Sequence, residues 1–212
     1  MNRILVTIDG TAASGKGRIA KYISNRWKLK HLDSGILYRK LAYKLVKNKI
    51  IVRSEYEVQK YINKLKKLSY RRSKGLRAEK ISKLASKIAT FRCVRNYVNK
   101  IQKEFVKKNI QFRGFVVDGR DIGSVVFKNA DLKLFIEVNE KNRAKRRYKQ
   151  LIDTGEKSIY PKILKDIKLR DKKDKLRKYS PLVIPKGAII IDNNSSFRNT
   201  IKQINILMEN IL

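Results

Sequence analysis

Arg3-Ile4-Leu5-Val6-Thr7-Ile8-Asp9-Gly10-Thr11-Ala12-Ala13-Ser14-Gly15-Lys16 is a short β-rich run that ends in Asp9-Gly10 and passes into a glycine-bounded loop. From Gly15 onward the spacing turns helical through Ile19, Ile23 and Trp27. Gly10 to Lys16 fits G-x-x-x-x-G-K, and it stands where that loop works, after a strand and before a helix. Backbone N–H groups of such a loop, with the helix N-terminus behind them, surround a β-phosphate, and Lys16 reaches the β and γ oxygens. A nucleoside triphosphate is implied, contacted by Gly10, Thr11, Ala12, Ala13, Ser14, Gly15, Lys16, Gly17 and Arg18. Gly17 occupies the place where many such loops carry the Ser or Thr that ligates Mg²⁺, so the ion is expected to be held mainly through ATP phosphates and water.

Working outward, a second short strand is expected to end near His31-Leu32, and Ile36 to about Lys108 reads as basic amphipathic helices with breaks near Asn48 and Gly75. Phe115-Val116-Val117, Leu132 to Val138 and Ala188 to Ile191 are three further apolar β runs, each bounded by Gly, Asp or Asn. Pro161, Pro181 and Pro185 mark a region that reads as loops. Strands alternating with helices predict an α/β fold with a five-stranded parallel sheet covered on both faces. Ligands in such folds bind at the carboxyl ends of the strands, so Asp9-Gly10, Asp33 and Asp118 to Asp121 are expected to point into one crevice.

Composition narrows the class. The 212 residues suffice for one domain, and the single cysteine, Cys93, cannot form an internal disulfide, which with the lack of a leader-like segment points to a cytoplasmic setting. No apolar run approaches the roughly 20 residues that span a bilayer. Lys and Arg number 53 against 18 Asp and Glu, a formal charge of +35. That field suits polyanions, yet the basic residues run diffusely from Lys21 to Lys202 on helix faces without a groove-reading motif or interleaved aromatics. Nucleic acid is therefore disfavoured as the main partner, and the lysines read as solvated surface that also attracts anionic nucleotides.

Four further segments address the acceptor: Asp33-Ser34-Gly35-x-x-Tyr38-Arg39, then Ala85-Ser86 with Val94-Arg95, then Asp118-Gly119-Arg120-Asp121-Ile122-Gly123, then Arg170-Asp171-x-x-Asp174-x-x-Arg177. With the loop, in this order and spacing, they closely resemble bacterial cytidylate kinases, within the nucleoside monophosphate kinase family, over nearly the whole chain. The most specific piece runs from Asp118 to Phe127 and continues in Lys133-Leu134-Phe135-Ile136 and Arg143-x-x-Arg146-Arg147.

The resemblance implies transfer of the γ-phosphoryl group of ATP to CMP or dCMP by a single-domain monomer. Its core would comprise about 1–35, 110–145 and 186–212, its helical acceptor-binding region about 36–109, and a short lid about 146–160 that includes Thr154-Gly155-Glu156. Arg39, Arg120 and Arg177 would clamp the acceptor phosphate, because planar guanidinium forks present paired donors. Arg170 would contact phosphate or sugar on closure, Asp174 would accept from a ribose or deoxyribose hydroxyl, and Ser34 would lie beside the nucleotide. Lys16, Arg120 and Arg170 form the expected catalytic set, with no protein nucleophile needed. Ser86, Arg95 and Asp121 would read cytosine, whose N4 amino donor and N3 and O2 acceptors they complement, while uracil would set O4 against the carboxylate. His31, Trp27 and Cys93 read as structural.

Three departures from the family pattern stand out. Thr11 replaces a usual proline, Arg18 replaces a Thr or Ser near the α-phosphate, and the stretch between Leu68 and Glu79 is shortened, with Ser73-Lys74-Gly75 as a simple turn. Arg18 either adds a phosphate contact or crowds the nucleotide. The competing functions are a kinase for UMP or AMP, and an inactive nucleotide- or nucleic-acid-binding protein.

Overall fold

Buried apolar strands account for the centre of the molecule. In β1 (Ile4–Gly10) Val6 and Ile8 are fully buried, and every residue of β3 (Gly114–Asp118) is buried, as expected of parallel strands covered on both faces. The computed structural model describes residues 3–65, 68–70, 75–76, 78–153, 155–156 and 158–211. It divides into two units, residues 1–31 with 112–212, and residues 32–111.

The five-stranded sheet has the order β2-β3-β1-β4-β5, with β2 at Lys30–Asp33, β4 at Leu132–Glu137 and β5 at Ile189–Asp192. β1 pairs in parallel with β3 (Val6 opposite Val116) and with β4 (Ile8 opposite Leu134), and β4 pairs in parallel with β5 (Ile136 opposite Ile191). Each strand falls within a residue or two of its sequence expectation. The chain leaving β1 goes to β2 on one side, and the chain leaving β3 goes to β4 on the other. The crevice of the fold therefore opens at the carboxyl ends of β1 and β3.

Helix α1 (Lys16–Arg26) covers β1 and β3 with Ile19, Ala20 and Ile23, a single apolar stripe. That core continues through Leu134, Ile136 and Ile191 to Ile204 and Met208 of the last helix, α8 (Phe197–Glu209). Between β4 and β5 the chain makes two helices, α6 (Glu140–Asp153) and α7 (Tyr160–Leu176), which share a small core of Ala144, Leu151, Ile163 and Ile167. Pro161, expected in a loop, sits in the first turn of α7, where its missing N–H is not needed. Much of the segment expected as a lid is thus helical; Thr154 lies outside the described residues.

The 32–111 unit holds α2 (Ser34–Lys47), α3 (Glu55–Lys64), α4 (Glu79–Ile88) and α5 (Arg92–Lys108) around Leu37, Leu41, Leu45, Val58, Ile88, Val94 and Val98. The expected breaks correspond to Asn48, which ends α2, and Gly75, in a left-handed conformation ahead of α4. Ser54 and Glu57 form a reciprocal capping box at the start of α3. Residues 71–74, which contain most of the expected Ser73-Lys74-Gly75 turn, lie outside the described residues.

Candidate active site

The glycine loop is shaped by two contacts that only glycine permits. Gly10 has φ 145° and any side chain there would meet the Ile136 carbonyl, while Gly15 has φ 91° and its Cβ would stand 2.6 Å from Asn193 Nδ2. Lys16 folds back over the loop, its Nζ donating to the Thr11 carbonyl at 2.6 Å and to Ser14 Oγ at 3.2 Å. Two side chains brace the loop from behind. Arg143 donates from Nη1 to the Ala12 carbonyl (3.1 Å) and from Nε to the Val138 carbonyl (3.0 Å), and pairs through Nη2 with Asp171 (2.6 Å). Asn193 donates to the Ser14 carbonyl (2.8 Å) and accepts from the Thr200 hydroxyl (2.9 Å). Neither brace is assigned a role from sequence, because the bond each makes to the loop joins residues more than 130 positions apart.

Two carboxylates end the strands beside the loop. Asp9, fully buried, accepts from the N–H groups of Ile122 (2.8 Å) and Gly123 (2.7 Å). It thereby fixes the π-helical turn Ile122–Val126 that follows Asp118-Gly119-Arg120-Asp121. Burial pushes its carboxyl up to about 6, with the Asp121 charge adding to the rise and the two N–H groups and Lys16 opposing it. Asp118 stands beside Gly17, where no side chain intervenes, and is held by His31 Nε2 at 2.6 Å. His31, read from sequence as structural, therefore orients a carboxylate at the mouth of the loop.

Across this crevice the 1–31/112–212 unit gathers cations. α7 places Arg170 and Asp174 one turn apart on one face, and Arg177 stands at its C-cap. Asp174 accepts from Arg120 Nε at 2.9 Å and from Arg177 Nη1 at 3.5 Å, and Arg177 Nη2 lies 4.0 Å from Asp121. Arg177 also donates to the Ser180 carbonyl at 2.6 Å. Burial would raise the Asp174 carboxyl, but the Arg120, Arg170 and Arg177 charges outweigh it and hold the group below its usual range. Lys16 is pushed well below its ordinary value by burial, then by Arg120 and Arg170, against the pull of Asp118 and Asp9. Four cations, Lys16, Arg120, Arg170 and Arg177, thus stand among the carboxylates of Asp9, Asp118, Asp121 and Asp174. In the structure, Arg120 and Asp174, expected to meet phosphate and sugar respectively, meet each other.

The remaining expected residues belong to the helical unit. Asp33 precedes α2, Ser34 is buried in its first turn, and Arg39 one turn on pairs with Asp33 at 3.2 Å. Arg95 on α5 is buried, donates to the Ala89 carbonyl at 2.9 Å and lies 5.6 Å from the centroid of the Tyr38 ring. Ser86 is half-buried on α4. Cys93 is half-buried near Glu55, and burial with that contact pushes its thiol up to about 12. Within this unit α2 and α5 bring Arg39, Tyr38 and Arg95 to neighbouring positions, with a helix N-terminus and a buried serine beside them.

Among the described residues no group of three or more His, Cys, Asp or Glu could cage a metal, and no helix is long and apolar enough to cross a membrane. Asp118 beside the side-chain-free Gly17 fits a Mg²⁺ ion carried largely by phosphates and water.

A family model described as Cytidylate kinase matches residues 6–211. A cytidylate kinase of Bartonella bacilliformis is 39% identical over 194 residues, covering 92% of this chain and 88% of that one. One of Rickettsia felis is 41% identical over 189 residues, covering 89% and 84%. Among solved structures, TT1252 from Thermus thermophilus covers all of both chains with a TM-score of 0.54 at 14% identity, a likeness of fold.

Proposed function

Because the chain belongs to the cytidylate kinase family, we propose that it transfers the γ-phosphoryl group of ATP to CMP or dCMP, using the loop and the arginine cluster described above. The observation that carries this is the gathering of Lys16, Arg120, Arg170 and Arg177 around Asp174, beside a glycine loop at the carboxyl ends of β1 and β3. Phosphoryl transfer asks little covalent chemistry of the protein, only alignment and charge stabilisation, and this cluster supplies both.

In this reading Lys16 holds the β and γ oxygens of ATP, and its depressed ammonium regains full charge beside the anion. Arg39, Arg120 and Arg177 grip the acceptor phosphate, so that Arg120 and Arg177 exchange part of their hold on Asp174 for phosphate oxygens. The released Asp174 oxygens accept from the sugar hydroxyl, while Arg170 follows the transferring phosphoryl group. Ser34 lies beside the nucleotide, and Ser86, Arg95 and Asp121 read the cytosine edge, with Asp121 accepting from the N4 amino group. Asp9 keeps Arg120 and Asp121 in place through the Ile122 and Gly123 N–H groups. Mg²⁺, held by the phosphates, water and Asp118, supplies charge neutralisation when bound. The segment 146–160 closes over ATP and keeps water from the γ-phosphate. The protein works as a monomer on free nucleotides in the cytoplasm.

The test is ADP release from MgATP with CMP, dCMP, UMP and AMP in parallel, for wild type and Asp121→Asn. Turnover with the cytidine nucleotides that Asp121→Asn selectively weakens is expected, because an unmet polar edge costs about 1–3 kcal/mol, or roughly 5- to 150-fold. Equal turnover of all four nucleotides by wild type would overturn the assignment of the base-reading residues.

A further inference from the structure

Arg18 stands on the first turn of α1, two positions after the loop lysine, where the helix N-terminus faces phosphate. Its guanidinium carbon lies 3.7 Å from the centroid of the Phe197 ring, a separation reached only by lying flat on the ring face. The ring is itself fixed. Tyr22 meets Phe197 edge-on at 6.4 Å, Trp27 meets Tyr22 edge-on at 6.0 Å, and the Tyr22 hydroxyl donates to Asn205 at 2.8 Å. A stacked guanidinium keeps its N–H donors in its own plane, directed past the ring edge.

A second guanidinium lies within reach of its charge. Arg146 donates to the Asn193 carbonyl at 2.7 Å, and the Asn193 side chain holds the Ser14 carbonyl of the loop. Burial, and then the charge of Arg18, lower the Arg146 guanidinium from its ordinary value. Among the described residues neither Arg18 nor Arg146 pairs with a carboxylate. Two like charges that act on each other, neither paired with a carboxylate among the described residues, repel each other until an anion arrives.

We propose that Arg18, laid flat on the Phe197 platform, is a donor-nucleotide contact, its N–H edge binding the α-phosphate of ATP. Phe197 is then a positioning residue that sets affinity for the donor without touching it. The inference rests on the kinase reading above and deepens its donor site.

The experiment compares wild type with Arg18→Thr, Arg18→Lys, Phe197→Leu and Phe197→Trp. Each is measured for CMP-dependent ADP release and, by calorimetry, for binding of ATP and of the two ATP α-thio diastereomers. Losing a charge-assisted contact at this exposed position is expected to raise KM and Kd for ATP about tenfold in Arg18→Thr, well beyond any change in KM for CMP. Arg18→Lys keeps the charge without the flat fork and recovers part of the loss. Phe197→Leu reproduces the loss and Phe197→Trp, which restores a ring face, does not. Wild type should discriminate between the α-thio diastereomers, and Arg18→Thr should not. ATP affinity that is unchanged or improved in Arg18→Thr, or α-thio discrimination that survives it, overturns the proposal. Wild type that binds ATP without CMP-dependent turnover would count against the kinase reading instead, with the calorimetric comparisons still deciding the role of Arg18.

Discussion

Replacing Asp9 by asparagine should reveal a specific pH dependence of stability. The Asp9 carboxyl, ordinarily near 3.8, holds its proton to about 6 in the folded protein because it is buried. Between those values the folded state binds a proton that the unfolded chain has released. Stability contributed by this group is therefore full below about pH 4 and lost as pH rises through about 6. The rise from 3.8 to about 6 corresponds to about 3 kcal/mol at neutral pH. Asp9→Asn cannot ionise and escapes that loss. It carries instead a fixed penalty, because an amide accepts from one of the Ile122 and Gly123 N–H groups and turns a donor toward the other. Urea unfolding of both proteins from pH 4 to pH 8 separates the two effects, since other titrations cancel in the difference. The wild-type free energy minus that of Asp9→Asn should fall by about 3 kcal/mol across the range and then stay flat. A difference independent of pH would refute the reasoning, showing that Asp9 ionises as easily folded as unfolded.

Asp174 should behave with the opposite sign: its carboxyl is held below the usual range, so Asp174→Asn should cost about 3 kcal/mol at pH 7, as expected for breaking a buried pair, and progressively less as pH falls toward 3, read by unfolding at several pH values. Arg143→Met should destabilise by about 3–5 kcal/mol in urea, because Asp171 and two carbonyls lose a buried partner, and Arg143→Lys should restore only part since an ammonium cannot span all three. Cys93, with a thiol pushed up to about 12, should resist iodoacetamide at pH 8 in the native protein and react in urea, followed by mass spectrometry; rapid native labelling would contradict its placement.

Elements whose partners are local were legible in the sequence. The run from Ile4 to Lys16 declares strand, loop and helix because the hydrophobic period and the glycines change within a few residues. The five strands were readable for the same reason, being apolar runs punctuated by Gly, Asp or Asn. The α6–α7 pair was legible only as helix somewhere between the last two strands; its extent through 146–161 was not, because its apolar positions are few among lysines and arginines and Pro161 reads as a breaker until its place in a first turn is known. Candidate site residues came from motif, and the structure adds what motif cannot contain. Asp9 as the anchor of the π-helical turn, His31 on Asp118, and the Arg143 and Asn193 braces all join residues far apart in sequence, and no local pattern announces them. Asp9 and Asp118 alone carried a signal, as carboxylates at the carboxyl ends of strands in a parallel sheet.

The central claim is transfer of a phosphoryl group to a cytidine monophosphate, and following the γ-label of ATP tests it most directly. With MgATP and CMP the label should appear in CDP, at a rate that depends on CMP and collapses in Arg120→Ala. Label that appears only as inorganic phosphate, at a rate indifferent to CMP, would contradict the account.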